Sequence, residues 1–306
     1  MRSGTRQLLR WRILACLVVG TVVLGSAAAQ SVSAAPHYPV SYNLLGTLTA
    51  GTFSPDTPPP GANRPGCRST KNPRPVILVH GTGANQSNSW QAIGPELANR
   101  GYCVYTVTVG SLFNIRNFGE LDSVYTSAAQ LAAFVEKVRH WTGAEKVDLV
   151  GHSQGGTVNL FYLKHNDGWR YVHRVVGLAA ANNPPTFWVD IMKLVPGWKD
   201  VVGLIVPATK QLLTPAEYTK LSPRVYPSVR YSNIVSQYDE LAIPHTVAFL
   251  PSGPNVRNIR IQDVCPNDRV GHLGMIADPN VTQVLLNELD PERAKPVRCG
   301  PGGFFL

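Results

Sequence analysis

A chain of 306 residues with 44% hydrophobic and 15% charged residues can bury a sizeable core, which excludes a disordered or low-complexity protein. Its formal charge of +9 is not gathered into Lys/Arg clusters interleaved with aromatics, which argues against nucleic acid as a partner.

In chain order, the first segment reads as a leader. Arg2, Arg6, Arg10 and Arg12 precede an apolar run over 13–25 and a small-residue stretch over 26–29, with Ser33, Ala34 and Ala35 offering a second cut. This pattern predicts a secretory signal peptide over residues 1–35, too short for a stable membrane span. Residues 36–306 are then expected to form a single, mildly basic domain outside the cell. Cys67, Cys103, Cys265 and Cys299 lie in that part, and an even count in an exported chain predicts two disulfides. Cys67 and Cys103 flank one expected strand, and Cys265 and Cys299 bracket the last helix, so Cys67–Cys103 and Cys265–Cys299 are the favoured pairs. No CxxC or HxxxH spacing supports a metal site.

Residues 36–72 are rich in Pro, Gly, Ser and Thr and are expected to form an irregular arm over the domain. A βα alternation follows. The apolar run PVILVH over 75–80 predicts a buried parallel strand, 94–99 a helix, and YCVYTVTV over 102–109 a second strand. Over 123–141, Leu131, Phe134, Val135 and Val138 make one apolar stripe at helical spacing. Further strands are expected at 147–150, 172–179, 230–235 and 256–264, with helices at 156–164 and 282–289. Strands alternating with helices imply a mainly parallel sheet covered on both faces, an α/β fold whose ligands bind beyond the carboxyl ends of the strands. Residues 183–226 break the rhythm. The segment is proline-rich and carries Phe187, Trp188, Ile191, Met192 and Leu194, which predicts a cap-like or lid-like insertion over that edge.

The chemistry clusters just after the strands. Gly151-His152-Ser153-Gln154-Gly155 is a G-x-S-x-G nucleophile elbow set between an expected strand and an expected helix. A serine hydroxyl needs a base to take its proton and an acid to orient that base, in the order Ser, Asp/Glu, His on such a fold. His272, in a glycine-flanked loop after the last strand, is the preferred base, with His245 the rival; His165 and His173 read as surface residues. Asp239, just past the strand YSNIVS, is the preferred acid. Glu240 beside it is expected to point away, while Asp263 and Asp268 belong to the histidine's own strand and loop. For an oxyanion hole, the N–H of Gln154 and the N–H or hydroxyl of Thr82 are the candidate donors. His80 and His152 are expected to order loops and pack.

Taken together, PVILVHGTG, TGAEKVDLVGHSQGG, YSNIVSQYDELAIP and VGHLGMIADPNV resemble the alpha/beta-hydrolase superfamily, and more narrowly its secreted bacterial class 2 lipases. The resemblance covers roughly residues 74–290. It implies an alpha/beta-hydrolase fold and an esterase or lipase with Ser153, Asp239 and His272 as triad and Thr82 and Gln154 as oxyanion donors. No metal or cofactor is implied. The substrate would be a lipid or other carboxylic ester, met at a lipid–water interface or in solution. The GTG loop is also similar to fungal lipases of the B type, which would give the Thr82 hydroxyl a third oxyanion bond. The 183–226 insertion, the four cysteines and the N-terminal arm depart from the minimal class 2 domain. An acyltransferase or polyester hydrolase would share the same acyl-enzyme, and a catalytically inert surface-binding protein would share only the fold.

Overall fold

Six short runs of aliphatic and β-branched residues pair, edge to edge, into one parallel sheet. The computed structural model describes residues 37–184, 190, 194, 197–221 and 224–301, within a compact unit spanning Pro36–Leu306; the expected leader lies outside the described residues. The strands are β1 (Val76–Val79), β2 (Val104–Val107), β3 (Val147–His152), β4 (Val172–Leu178), β5 (Arg230–Val235) and β6 (Val256–Arg260), in the spatial order β2-β1-β3-β4-β5-β6. Every neighbouring pair is parallel. β1 and β3 are buried along their whole length, as interior strands covered on both faces must be.

Alternation along these strands divides the core in two. Ile77, Val79 and Leu149 face α4 (Val124–Thr142) and α5 (Gln154–His165), packing with Leu131, Val135, Val138 and Phe161. Val76, Leu78 and Val150 face the other way, toward Trp90, just past the short helix α2 (Gln86–Ser89), Ile93 and Leu97 of α3 (Ile93–Asn99), and Val281 and Leu285 of α10 (Pro279–Leu289). A period of two in the strands and of three to four in the helices produces this layering directly.

Both expected disulfides are present, Cys67–Cys103 and Cys265–Cys299. Three segments differ from the sequence expectations. The arm is not wholly irregular, because Asn43 accepts the Gly46 N–H and starts a helix, α1 (Leu44–Phe53). The arm then joins the sheet edge, with Ala62 bridged to Val104 and Asn63 N–H bonded to the Val104 carbonyl. The last strand stops at Arg260, where the chain turns into the four-residue helix α9 (Ile261–Val264); the scattered apolar positions Val256, Ile259, Ile261 and Val264 among polar residues do not separate a strand from a helical turn. The closing helix begins at Pro279, capped by Asp278.

Within the insertion lie α6 (Trp198–Ile205), α7 (Pro207–Leu213) and α8 (Pro215–Leu221). Ala208, Leu212 and Tyr218 are buried in the core against β-sheet and α4 residues. Gln211 accepts the first N–H of α4, from Val124, and the Tyr218 hydroxyl donates to the carbonyl of Ala181 just past β4. Phe187, Trp188, Ile191 and Met192 lie outside the described residues. Among the described residues, no helix is long and apolar enough to cross a membrane.

Candidate active site

β3 ends at His152 and α5 begins at Gln154, so Ser153 alone makes the turn between them. Its backbone sits at φ 52°, ψ −126°, a region that a non-glycine residue occupies only when its surroundings enforce it. The surroundings are the two glycines of the motif. A Cβ on Gly151 would lie 2.4 Å from the Gly156 nitrogen, and one on Gly155 would lie 2.3 Å from the carbonyl oxygens of Val79 and His80. Only bare backbone lets the turn close this tightly against β1. As the first residue of α5, Gln154 has an N–H without an i−4 partner, at the positive end of the helix.

The histidine loop after α9 returns to this turn. His272 is buried, and its Nδ1–H donates to both carboxylate oxygens of Asp239 at 2.9 Å. Burial alone would raise the Asp239 pKa. The bond from His272, its charge, and the N–H groups of Ala242 and Leu241 outweigh this and lower it. Glu240, expected to point away, also serves the histidine, since its carboxylate accepts the His272 backbone N–H at 2.9 Å. The other candidates are engaged elsewhere. His173 pairs with Asp148, Asp263 with Arg260, and Asp268 accepts the Val270 N–H. His165 stacks on Phe161, and His245 lies in a turn against Phe249.

Two further histidines are neutral struts. His80 donates Nδ1–H to the Gly81 carbonyl and accepts the Val109 N–H at Nε2, and burial lowers its pKa to about 4. His152 donates Nε2–H to the His272 carbonyl, with burial and then the nearby His272 lowering its pKa to about 3. Each ring links two loops by its neutral form, which fixes the tautomer.

Ser153, His272, Thr82 and Gln154 all line one cavity of about 340 Å³. The rest of its wall is mostly apolar and comes from distant parts of the chain: Leu48 of α1, Leu212 and Leu213 of α7, Leu241, and Ile276. The Thr82 hydroxyl donates to Gln154 Oε1 at 2.6 Å. The Gln154 amide in turn donates from Nε2 to the Glu120 carboxylate oxygen Oε2 at 2.7 Å and to the Glu120 carbonyl at 2.9 Å. Sequence reasoning missed Glu120 and Leu48. Neither sits in a motif, and one acid or one leucine in a loop-rich segment carries no pattern.

The fold has solved counterparts. Bacillus licheniformis lipase BlEst2 superposes with a TM-score of 0.55 at 18% identity, over 74% of this chain and 96% of that one. Aspergillus fumigatus lipase B gives 0.52 at 16% identity, over 78% of this chain and 56% of that one. The chain has the alpha/beta-hydrolase fold. Residues 73–167 of this hydrolase-fold chain, from β1 through α5, match the family of class 2 lipases. Triacylglycerol lipases of Pseudarthrobacter phenanthrenivorans and Burkholderia plantarii are each 38% identical over 92 residues, 28% of this chain and 27% and 24% of their own lengths. The chain thus spans about a quarter of those relatives' length, and the family match over 73–167 contains the GTG loop and the elbow.

Proposed function

We propose that the chain is a carboxylic ester hydrolase of the lipase and esterase kind, working through an acyl-enzyme on Ser153. The observation that carries this reading is the His272–Asp239 pair beside a strained serine, within one apolar cavity. With Nδ1–H committed to Asp239, the Nε2 of neutral His272 bears the lone pair that takes the serine proton. Ser153 Oγ then attacks the ester carbonyl, and the oxygen that becomes negative is held by the N–H groups of Gln154 and Thr82. His272 Nε2 passes its proton to the leaving alcohol oxygen. Water, deprotonated by the same nitrogen, attacks the acyl carbonyl and frees the acid and the serine.

The apolar wall supports an acyl group as the part that enters the cavity. Leu194 and, on α6, Val201 and Ile205 are exposed; Val201 and Ile205 are four residues apart and so share one helix face. This face is the proposed contact with a lipid–water interface. The two disulfides support the expected export to an oxidising compartment.

The test is hydrolysis of p-nitrophenyl butyrate together with covalent labelling by a fluorophosphonate. Wild type should do both, and Ser153→Ala should lose labelling and lower turnover by about ten thousand-fold or more. Unlabelled, folded wild type would sink the reading. An added alcohol discriminates the acyltransferase alternative, for transfer to it would then dominate hydrolysis in water.

A further inference from the structure

One buried ionisable group has no part in the cycle above. Glu120 is 0% exposed, in the loop between β2 and α4. Its backbone is in the left-handed region at φ 58°, unfavourable for a side chain as long as glutamate. Its surroundings hold it there. Its N–H donates to the Val109 carbonyl, and the next two N–H groups donate to the Gly110 carbonyl. Gly110 itself has φ 64°, and a Cβ there would lie 2.3 Å from Ser127 Oγ and about as close as 3.0 Å to the Glu120 Cα. Placing a carboxyl in so dry a position is costly, and burial pushes its pKa up to about 8.

What the carboxyl touches gives this placement a purpose. Gln154 Nε2 has two hydrogens, and Glu120 accepts both, one at Oε2 and one at its carbonyl. Since both acceptors lie on that side, the amide is oriented with Oε1 toward Thr82, whose hydroxyl donates to it. The bridge therefore runs Glu120–Gln154–Thr82 through every polar atom of the Gln154 side chain. Backbone contacts run parallel to it. Gly83 N–H donates to the Gly119 carbonyl, and Gly119 N–H donates to the Ala84 carbonyl. The Glu120 loop is thus clamped to the very loop that carries Thr82.

We propose that Glu120 is a positioning residue which, through the Gln154 side chain, holds the Thr82 and Gln154 backbone donors in register for the oxyanion. The same bridge engages the Thr82 hydroxyl in the resting site, so the oxyanion is met by two backbone donors and not by a hydroxyl. The inference rests on the acyl-enzyme reading above.

The experiment compares Glu120→Leu, Glu120→Gln and Gln154→Met with wild type in steady-state hydrolysis of p-nitrophenyl butyrate. Inhibition by an alkylboronic acid, whose tetrahedral adduct on the serine presents an oxygen to the same donors, is measured alongside. Glu120→Leu keeps the volume and cuts the bridge, and is expected to lower kcat by about 10- to 100-fold with KM within about twofold. The boronate Ki should rise by the same factor. Glu120→Gln keeps an oxygen that accepts from Gln154 and should stay within about threefold of wild type. Gln154→Met cuts the same bridge at its middle while keeping the backbone N–H. It should match the loss in Glu120→Leu and carries the test alone if that variant does not fold. Unchanged kcat and Ki in the folded bridge-cutting variants would overturn the proposal, as would an equal loss in Glu120→Gln. Ser153→Ala separates the two levels. If it retains wild-type turnover, the acyl-enzyme reading itself has failed and the proposal falls with it.

Discussion

Ser153 and Glu120 are both held at positive φ, 52° and 58°, and Gln154 links them, following Ser153 in the chain and donating its side-chain amide to Glu120. Strain of this kind costs about 1–3 kcal/mol per residue and persists where the surroundings over-determine it. For Glu120 there is a further cost that varies with pH. Burial raises its folded pKa to about 8, above the ordinary 4.5, so the folded state binds the proton more tightly than the unfolded chain. Its contribution to stability is greatest below pH 4.5, declines as pH rises toward 8, and is constant above that. The slope is about 1.4 kcal/mol per pH unit at its steepest. Glu120→Gln removes this titration. Urea melts at pH 5 and pH 8 should therefore show the variant gaining on wild type by a few kcal/mol between the two. An identical pH trend in both proteins would contradict a buried neutral acid at this position.

At the scale of elements, the insertion is two different structures joined. α7 and α8 are fixed to the body through Ala208, Leu212, Tyr218 and the Gln211 contact with α4, and they supply cavity wall at Thr209, Leu212 and Leu213. α6 instead leaves Val201 and Ile205 each 61% exposed. Leaving these side chains in water forgoes burial of about 25 cal/mol per Å² of apolar surface, which an interface would recover. Val201→Asp with Ile205→Asp is accordingly expected to lower activity on an emulsified triglyceride by about tenfold. Hydrolysis of a dissolved p-nitrophenyl ester should change by less than about twofold, because neither residue lines the cavity. Equal losses on both substrates would assign α6 to folding, not to the interface.

Across the whole molecule, two cross-links fasten segments that lie outside the six strands. Cys67–Cys103 spans 36 residues and ties the arm to the chain entering β2; Cys265–Cys299 spans 34 and ties the C-terminal segment to the end of α9. Loops of this size predict about 3–4 kcal/mol of stabilisation from each through restriction of the unfolded chain. Replacing Cys67 and Cys103 by serine should lower unfolding free energy by that amount in denaturant. The effect on activity at 25 °C should be small, since the bridge from Ala62 to Val104 and the Asn63 bonds to Thr106 still hold the arm. A loss under about 1 kcal/mol would show that the arm is fixed by those contacts alone.

By itself the sequence determined what is local. The run VDLV before Gly151, the glycines about Ser153 and the apolar stripe of α4 each encode their element within a dozen residues, through periodicity and backbone sterics. The order of Ser153, Asp239 and His272, each after a different strand, followed from the same reading because a parallel sheet gathers its strand ends on one edge. The helix α1 was hidden by its glycines and threonines, and the end of β6 by apolar residues spaced in a way common to strands and helical turns. Only the tertiary structure decided that Leu48 lines the cavity, that Glu240 holds the His272 backbone, and that Glu120 lies dry behind Gln154. These contacts join residues 32 or more apart in sequence. Their partners are set by how loops pack across the sheet edge, a consequence of the whole core that no local pattern records.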